Sequence, residues 1–66
     1  MKTSSVISGI QYDATRRVMA VDFRSGSRYH YRDVPETTVR RVVDSQSVGR
    51  AYNLYVRDAF PHKKIR

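Results

Sequence analysis

Residues 18–31, VMAVDFRSGSRYHY, decide the fold of this chain. Apolar and aromatic side chains occupy alternate positions in both halves of this segment: Met19, Val21 and Phe23, then Tyr29 and Tyr31. Such alternation is typical of strands with one buried face. Gly26, between the two halves, accepts the positive φ that a tight turn needs. The segment therefore predicts two antiparallel strands joined by a hairpin.

The flanking sequence predicts one more strand and two helices. β-Branched and aromatic residues predict a strand over residues 5–12, ahead of a polar connector of hairpin length. Pro35 suits a helix start, and valines within 39–43 lie on one helical stripe. Ser47 is the expected N-cap of a longer helix, which Pro61 ends. The apolar stripe of this second helix recurs at helical spacing: Val48, Ala51, Tyr52, Tyr55, Val56, Ala59 and Phe60.

Strands first and helices afterwards predict a single α+β domain over residues 1–66. We expect a three-stranded antiparallel meander, with both helices covering one face of the sheet. Residues 62–66 are expected to form a basic tail that frays. The opposite face of the sheet would be open and would carry Arg28, His30 and Arg32, beside Val18, Ala20 and Asp22, with Gln11 or Ile7 of the first strand.

The charge of the chain points to an anionic partner. Its 66 residues include 13 Lys and Arg against 6 Asp and Glu, a formal net charge of +7. Summed basic charge attracts phosphates and acidic surfaces, so nucleic acid or a smaller nucleotide is the expected partner. The alternative is a solvated basic surface that only keeps the protein soluble.

Several classes of protein are excluded by what the sequence lacks. It contains no cysteine, which removes disulfides and thiolate metal sites. No apolar run approaches the roughly 18 residues of a membrane span, and residues 1–12 lack the apolar block of a signal peptide. We therefore expect a cytoplasmic protein with no membrane partner.

The sequence shows no pattern of catalysis. His30 and His62 are far apart and have no metal-ligand spacing. No ordered nucleophile motif and no glycine-rich phosphate loop is visible. We expect no catalytic residue, no metal site and no cofactor, and hence a protein that is not an enzyme.

The second helix carries the predicted phosphate site. Ser47, Gly49 and Arg50 lie where a helix start offers unpaired N–H groups and a glycine permits close approach. An ordinary N-cap, with a glycine for packing, is the alternative. Asn53 and Arg57, one turn further along, add an amide and a planar fork of donors suited to phosphate or to a guanine edge. The alternative for Arg57 is a surface ion pair with Asp58 or Glu36.

The tyrosines of the chain allow two interpretations. Tyr29 and Tyr31 share one strand face, so both are candidate core residues whose hydroxyls reach the rim. They are also candidates to stack on a base, which contributes roughly 1–3 kcal/mol per base in single-stranded recognition. The same two interpretations apply to Tyr12 and Tyr52. Arg28 is expected to add a phosphate contact.

Taken together, these segments resemble the small KTSC domains of bacterial and phage proteins and of some lysyl-tRNA synthetases. The matching pieces, in order, are Lys2-Thr3-Ser4-Ser5, Ile10-Gln11-Tyr12-Asp13, Val21-Asp22-Phe23 with Gly26, Tyr29-His30-Tyr31, Val34-Pro35, Ser47-Val48-Gly49, Tyr52-Asn53 and Val56-Arg57. Ser5 stands where the family's opening motif has cysteine. The resemblance implies RNA binding. Free-standing phage relatives also look like sponges that sequester cyclic nucleotide signals of bacterial defence, which would place the protein in the host cytoplasm.

Three functions are compatible with these observations. The first is a homo-oligomer, a dimer or a tetramer, that sequesters a cyclic nucleotide between subunits without altering it. A chain this short can barely enclose such a ligand alone, whereas two symmetric copies would place paired arginines on two phosphates. The second is a module that binds short RNA. The third is a basic domain that meets an acidic protein. We take the first as the predicted function.

Overall fold

A computed structural model of the chain describes residues 6–66, so the motif Lys2-Thr3-Ser4-Ser5 lies outside the described residues. The elements run in the order β1 (Ile7–Asp13), β2 (Val18–Phe23), β3 (Arg28–Tyr31), α1 (Glu36–Val43), α2 (Val48–Tyr55) and β4 (His62–Lys64). The predicted α+β fold, with an antiparallel sheet and two helices, is confirmed. The predicted number of strands was wrong, because the sheet has a fourth strand.

The sheet follows chain order, β1-β2-β3-β4, with each strand antiparallel to its neighbour. Val21 pairs with Ile10 on one side and with Tyr29 on the other, so these three side chains share a face. Gly26 has φ +99°, which confirms its predicted role in the β2–β3 turn. A bulge early in β1 turns Ile7 inward, where it is 2 % exposed, so Ile7 does not lie on the open face.

The C-terminal segment is a strand and not the fraying tail that we predicted. The Ile65 amide donates to the Arg28 carbonyl at 2.7 Å, and the Arg32 amide donates to the Pro61 carbonyl at 2.8 Å. The physical reason is the edge of β3, where unpaired backbone groups would otherwise face water. The segment therefore closes the edge of β3 despite its basic, non-alternating sequence.

Helix α2 is shorter than its apolar stripe predicts. It ends at Tyr55, and Val56 at its C-terminus has φ −122°, outside the helical region. Pro61 disfavours helical geometry only in the residue before it, Phe60, so it does not account for the earlier break at Val56. Val56 is nevertheless fully buried and Phe60 packs against the core, whereas Ala59 is exposed.

The predicted N-cap of α2 is confirmed, since the Ser47 hydroxyl accepts a hydrogen bond from the Arg50 amide at 3.4 Å.

A single buried cluster joins residues of three strands, both helices and the connections after β3 and α2. Its members are Ile7, Met19, Val21, Tyr31, Val34, Val39, Val42, Val48, Ala51, Tyr52 and Val56.

Candidate functional site

A groove of about 1080 Å³ opens between α2 and the β2–β3 part of the sheet; we call it the α2 groove. It is lined from the sheet side by Val6, Ile7, Phe23, Ser25, Ser27, Tyr29, Tyr31 and His62, and from the helix side by Gln46, Ser47, Gly49, Arg50, Tyr52, Asn53, Arg57 and Asp58. Most of the residues predicted for phosphate or base contact meet here. The α2 groove brings together Ser47, Gly49, Arg50, Asn53 and Arg57 with Tyr29, Tyr31 and Tyr52.

The base of the α2 groove is aromatic. The Phe23 ring contacts the rings of Tyr29 and Tyr52 edge to face, with centroids 5.6 Å apart in both cases. Tyr31 and Tyr52 are buried, at 1 % and 8 % exposure, and their hydroxyls are hydrogen-bonded to each other. These two tyrosines are core residues. Tyr29 is half-buried, and it is the groove tyrosine whose ring a ligand can reach.

The Tyr31 hydroxyl is held in its neutral form. Burial raises the pKa of Tyr31 well above its usual value, and the hydrogen bond with Tyr52 raises it further. The positive charge of Arg57 acts in the opposite direction. Arg57 lines the same groove.

Strand β4 adds a histidine that sequence reasoning did not assign to the site. The His62 ring lies 5.1 Å from the ring of Tyr31 and 6.0 Å from that of Tyr29. Register explains this position, because His62 pairs with Tyr31 and its side chain shares that face. The free edge of β3 was the only signal that could have located it. Four further polar residues of the groove were also missed: Ser25, Ser27, Gln46 and Asp58.

The side-chain donors on α2 and directly after it are free to bind a ligand. The side chains of Arg50, Asn53 and Arg57 are exposed, and within residues 6–66 none of them forms a hydrogen bond or an ion pair. The alternative interpretation of Arg57 as part of an ion pair was wrong, since Glu36 pairs with Arg40 at 3.3 Å. Two unpaired guanidinium groups thus flank an aromatic surface.

Residues 3–60 match the family model of the KTSC domain. The chain belongs to the KTSC domain family. A crystal structure of a KTSC domain protein from Yersinia pestis superposes with a TM-score of 0.91 at 32 % identity, covering 97 % of this chain and 90 % of that one. An uncharacterized protein of Stutzerimonas stutzeri is 34 % identical over 50 residues, which are 76 % of this chain and 70 % of that protein. The resemblance to KTSC domains inferred from the sequence is confirmed.

Two predicted site residues of this KTSC domain lie away from the α2 groove. Arg28 points to the opposite face of the sheet, where its Nε lies 2.5 Å from Asp22 Oδ1 and its second guanidinium nitrogen donates to Oδ2 at 3.1 Å. Hydrogen bonding from Arg28 is the main cause that holds the pKa of Asp22 below its usual value. Tyr12 donates its hydroxyl to the Val34 carbonyl at 2.5 Å and so ties β1 to the connector before α1.

The opposite face of the sheet carries a smaller depression of about 310 Å³. It is lined by Gln11, Tyr12, Asp13, Arg16, Val18, Ala20 and His30.

Among residues 6–66 of the KTSC domain, no three His, Cys, Asp or Glu side chains cluster closely enough to hold a metal ion. In the same range, no helix has the length and apolar character that crossing a membrane requires.

Proposed function

We propose that this KTSC domain is a non-enzymatic binding protein that sequesters a small cyclic nucleotide in the α2 groove, with a second copy of the chain completing the site. The proposal takes both helices to pack on the sheet face that carries Tyr29 and Tyr31. The observation that carries it is the half-buried ring of Tyr29 in one groove with the unpaired guanidinium groups of Arg50 and Arg57.

The start of α2 suits a phosphate group. Helix N-termini carry partial positive charge and unpaired N–H groups, and Gly49 lets a ligand approach the backbone closely. The Ser47 hydroxyl accepts from the Arg50 amide and keeps its own hydrogen free to donate. Arg50 adds a full positive charge. A phosphate at this end would replace water by charge-assisted hydrogen bonds, which are the stronger kind.

The aromatic part of the α2 groove suits a base. Tyr29 and His62 line it, and a planar base can stack on either ring. Arg57 lines the same groove and can extend its planar guanidinium over this surface. A ligand with both a phosphate and a base would therefore satisfy both ends of the groove.

The small size of one chain is the reason why we propose a second copy of it at the site. The described part of one chain extends only 27 × 25 × 19 Å, and the α2 groove is partly open to solvent. Ligand sites usually bury most of a ligand's surface, and one copy of this size covers only one side of it. Two copies related by a two-fold axis would present equivalent arginines to the two phosphates of a cyclic dinucleotide.

The proposal assigns binding without reaction. The serines of the α2 groove are Ser25, Ser27 and Ser47. In the part of the chain that the structure describes, none of them is hydrogen-bonded to His62. A hydroxyl nucleophile needs such a base to activate it.

Short RNA is the second candidate ligand, and β4 is the observation that favours it. This strand pairs Lys64 with Tyr29, so Lys64 shares the groove face of the sheet and basic charge continues past the α2 groove; Lys63 pairs with His30 on the opposite face. RNA that follows this path would release several counterions, and its affinity would fall steeply with salt. A cyclic dinucleotide, with two phosphates, would show a shallow salt dependence.

The experiment is a thermal melt with cyclic dinucleotides, cyclic trinucleotides and short RNA. At a ligand concentration about a hundred times Kd, we expect the midpoint to rise by roughly 10 °C or more with a cyclic nucleotide. No rise with any cyclic nucleotide, together with a rise with short RNA, would reverse the order of the two candidates.

Arg57→Ala tests the site itself. We expect affinity for the stabilising nucleotide to fall about tenfold or more, because a charged hydrogen bond to phosphate or base is lost. Titration calorimetry measures the change. Arg40→Ala is the matched control, since it removes the same charge from an exposed position of α1 outside the α2 groove. Equal nucleotide affinities of the two variants would show that Arg57 does not contact the nucleotide.

A further inference from the structure

We propose that the α2 groove selects guanine, and that the adjacent residues Arg57 and Asp58 read this base. The inference rests on the proposed function, because it names the base of the nucleotide that the same groove would bind. It starts from an acidic side chain in an otherwise basic site.

Asp58 is the acidic residue among those that line the α2 groove. Its side chain is exposed and, within residues 6–66, forms no hydrogen bond and no ion pair, although Arg57 precedes it in the chain. Arg57 and Asp58 thus lie side by side in one groove without neutralising each other. Both are available to a ligand.

A carboxylate in a phosphate-binding groove favours a ligand that brings it a donor. Asp58 repels any phosphate that Arg57 or Arg50 would attract, and an ionised carboxylate only accepts hydrogen bonds. A bound nucleotide can offer Asp58 a ribose hydroxyl or an N–H group of its base. We assign the base, because Asp58 lies only four residues before His62, whose ring lines the same groove. A base that offers only acceptors toward Asp58 would be rejected, because the carboxylate would lose water without gaining a hydrogen bond.

Guanine fits this requirement better than the other bases. Its N1–H and N2 amino group are adjacent donors on one edge, so they can meet both oxygens of a carboxylate at once. In adenine and cytosine an acceptor nitrogen lies next to the amino group, and in uracil two carbonyls flank the single N–H. The acceptors O6 and N7 on the neighbouring edge of guanine match the fork of an arginine. Arg57 and Asp58 together can therefore cover both edges.

The position of the pair after the end of α2 agrees with this assignment. Ser47 and Arg50 lie at the start of the helix, and Asp58 lies three residues after its last residue, Tyr55. From Arg50 to Tyr55 the helix advances roughly 7.5 Å, and the chain has left the helix before it reaches Asp58. Phosphate would thus bind at the start of α2 and the base beyond its end, near the His62 ring.

The experiment is calorimetric titration of the full chain with cyclic dinucleotides that contain guanine, hypoxanthine or adenine. Hypoxanthine keeps N1–H, O6 and N7 but lacks the N2 amino group. We expect the guanine compound to bind about tenfold more tightly than the hypoxanthine compound, and Asp58→Asn to reduce this ratio to about one. Asp33→Asn is the matched control, because Asp33 is exposed and lies outside the α2 groove, and its positive φ of 62° suits asparagine.

The outcomes separate the two proposals. Tight binding of all three compounds with equal affinity would overturn the guanine assignment and leave the proposed function standing. A guanine preference that persists in Asp58→Asn would also overturn the role of Asp58. Failure of every cyclic dinucleotide to bind would count against the proposed function, and the inference would fall with it.

Discussion

The hydroxyl groups of Tyr31 and Tyr52 form a hydrogen bond between β3 and α2, in the interior of the protein. Each hydroxyl satisfies the other, and among the described residues no buried side-chain nitrogen or oxygen is left without a partner. Removing one member of such a pair leaves a buried polar group unsatisfied, whereas removing both leaves none. The pair therefore fixes how α2 meets the sheet below the α2 groove.

We predict that Tyr52→Phe lowers the free energy of unfolding by about 1–2 kcal/mol, because the Tyr31 hydroxyl stays buried without a partner. The double variant Tyr31→Phe/Tyr52→Phe should be more stable than the single variant, since neither hydroxyl remains. Urea denaturation of the four proteins in this cycle measures the coupling. If the two substitutions were simply additive, the hydroxyl pair would contribute nothing to stability.

Strand β4 shows how one short element changes both the sheet and the site. It pairs with β3 through backbone hydrogen bonds, and it carries His62 to the aromatic end of the α2 groove. All three of its side chains are exposed, so backbone pairing holds it more than burial does. Its docking and the shape of the groove are therefore linked.

We predict that Ile65→Pro destabilises the protein by about 1 kcal/mol more than Ile65→Ala does. Proline removes the amide that donates to the Arg28 carbonyl, whereas alanine keeps it. Lys64, the residue before it, is in β4, and extended geometry is what proline favours in the preceding residue, so the loss of the donor is the main difference. Urea denaturation gives the stabilities, and amide exchange at Arg28 should be faster in the proline variant. Identical exchange in both variants would mean that β4 does not protect the edge of β3.

Most elements could be predicted from the sequence, because their patterns are local. Alternation around Gly26 located β2 and β3, and Ser47 located the start of α2. The end of α2 could not be read from its stripe, since Val56 and Phe60 pack against the core even though they follow the helix. Strand β4 was missed, because its own basic sequence does not alternate and the free edge of β3 was the only signal for it.

The site was predictable to a similar degree. Helical spacing predicted that Arg50, Asn53 and Arg57 form one polar edge, and Ser47 was predicted as the N-cap. All four line the α2 groove, although α2 ends before Arg57. Arg28 was assigned to the same site because its charge alone was visible in the sequence. Its partner Asp22 is on the neighbouring strand, and only the register of β2 with β3 brings them together.

At the scale of the whole molecule, the open α2 groove connects function with assembly. We predict that the purified protein is a dimer or a tetramer, and that a bound cyclic nucleotide stabilises this form, since each copy would cover one side of the ligand. Size-exclusion chromatography with light scattering, with and without ligand, measures the mass directly. A strictly monomeric protein that binds one nucleotide per chain would show that one copy is sufficient.

The β2–β3 turn has a practical consequence. Ser25 and Ser27, on either side of Gly26, form part of the rim of the α2 groove, and the sequence contains no cysteine. A single thiol introduced as Ser25→Cys, at an exposed position, would therefore be the unique attachment point for a fluorescent dye. The dye would lie at the edge of the groove, where a change in its emission would report ligand binding and release in real time.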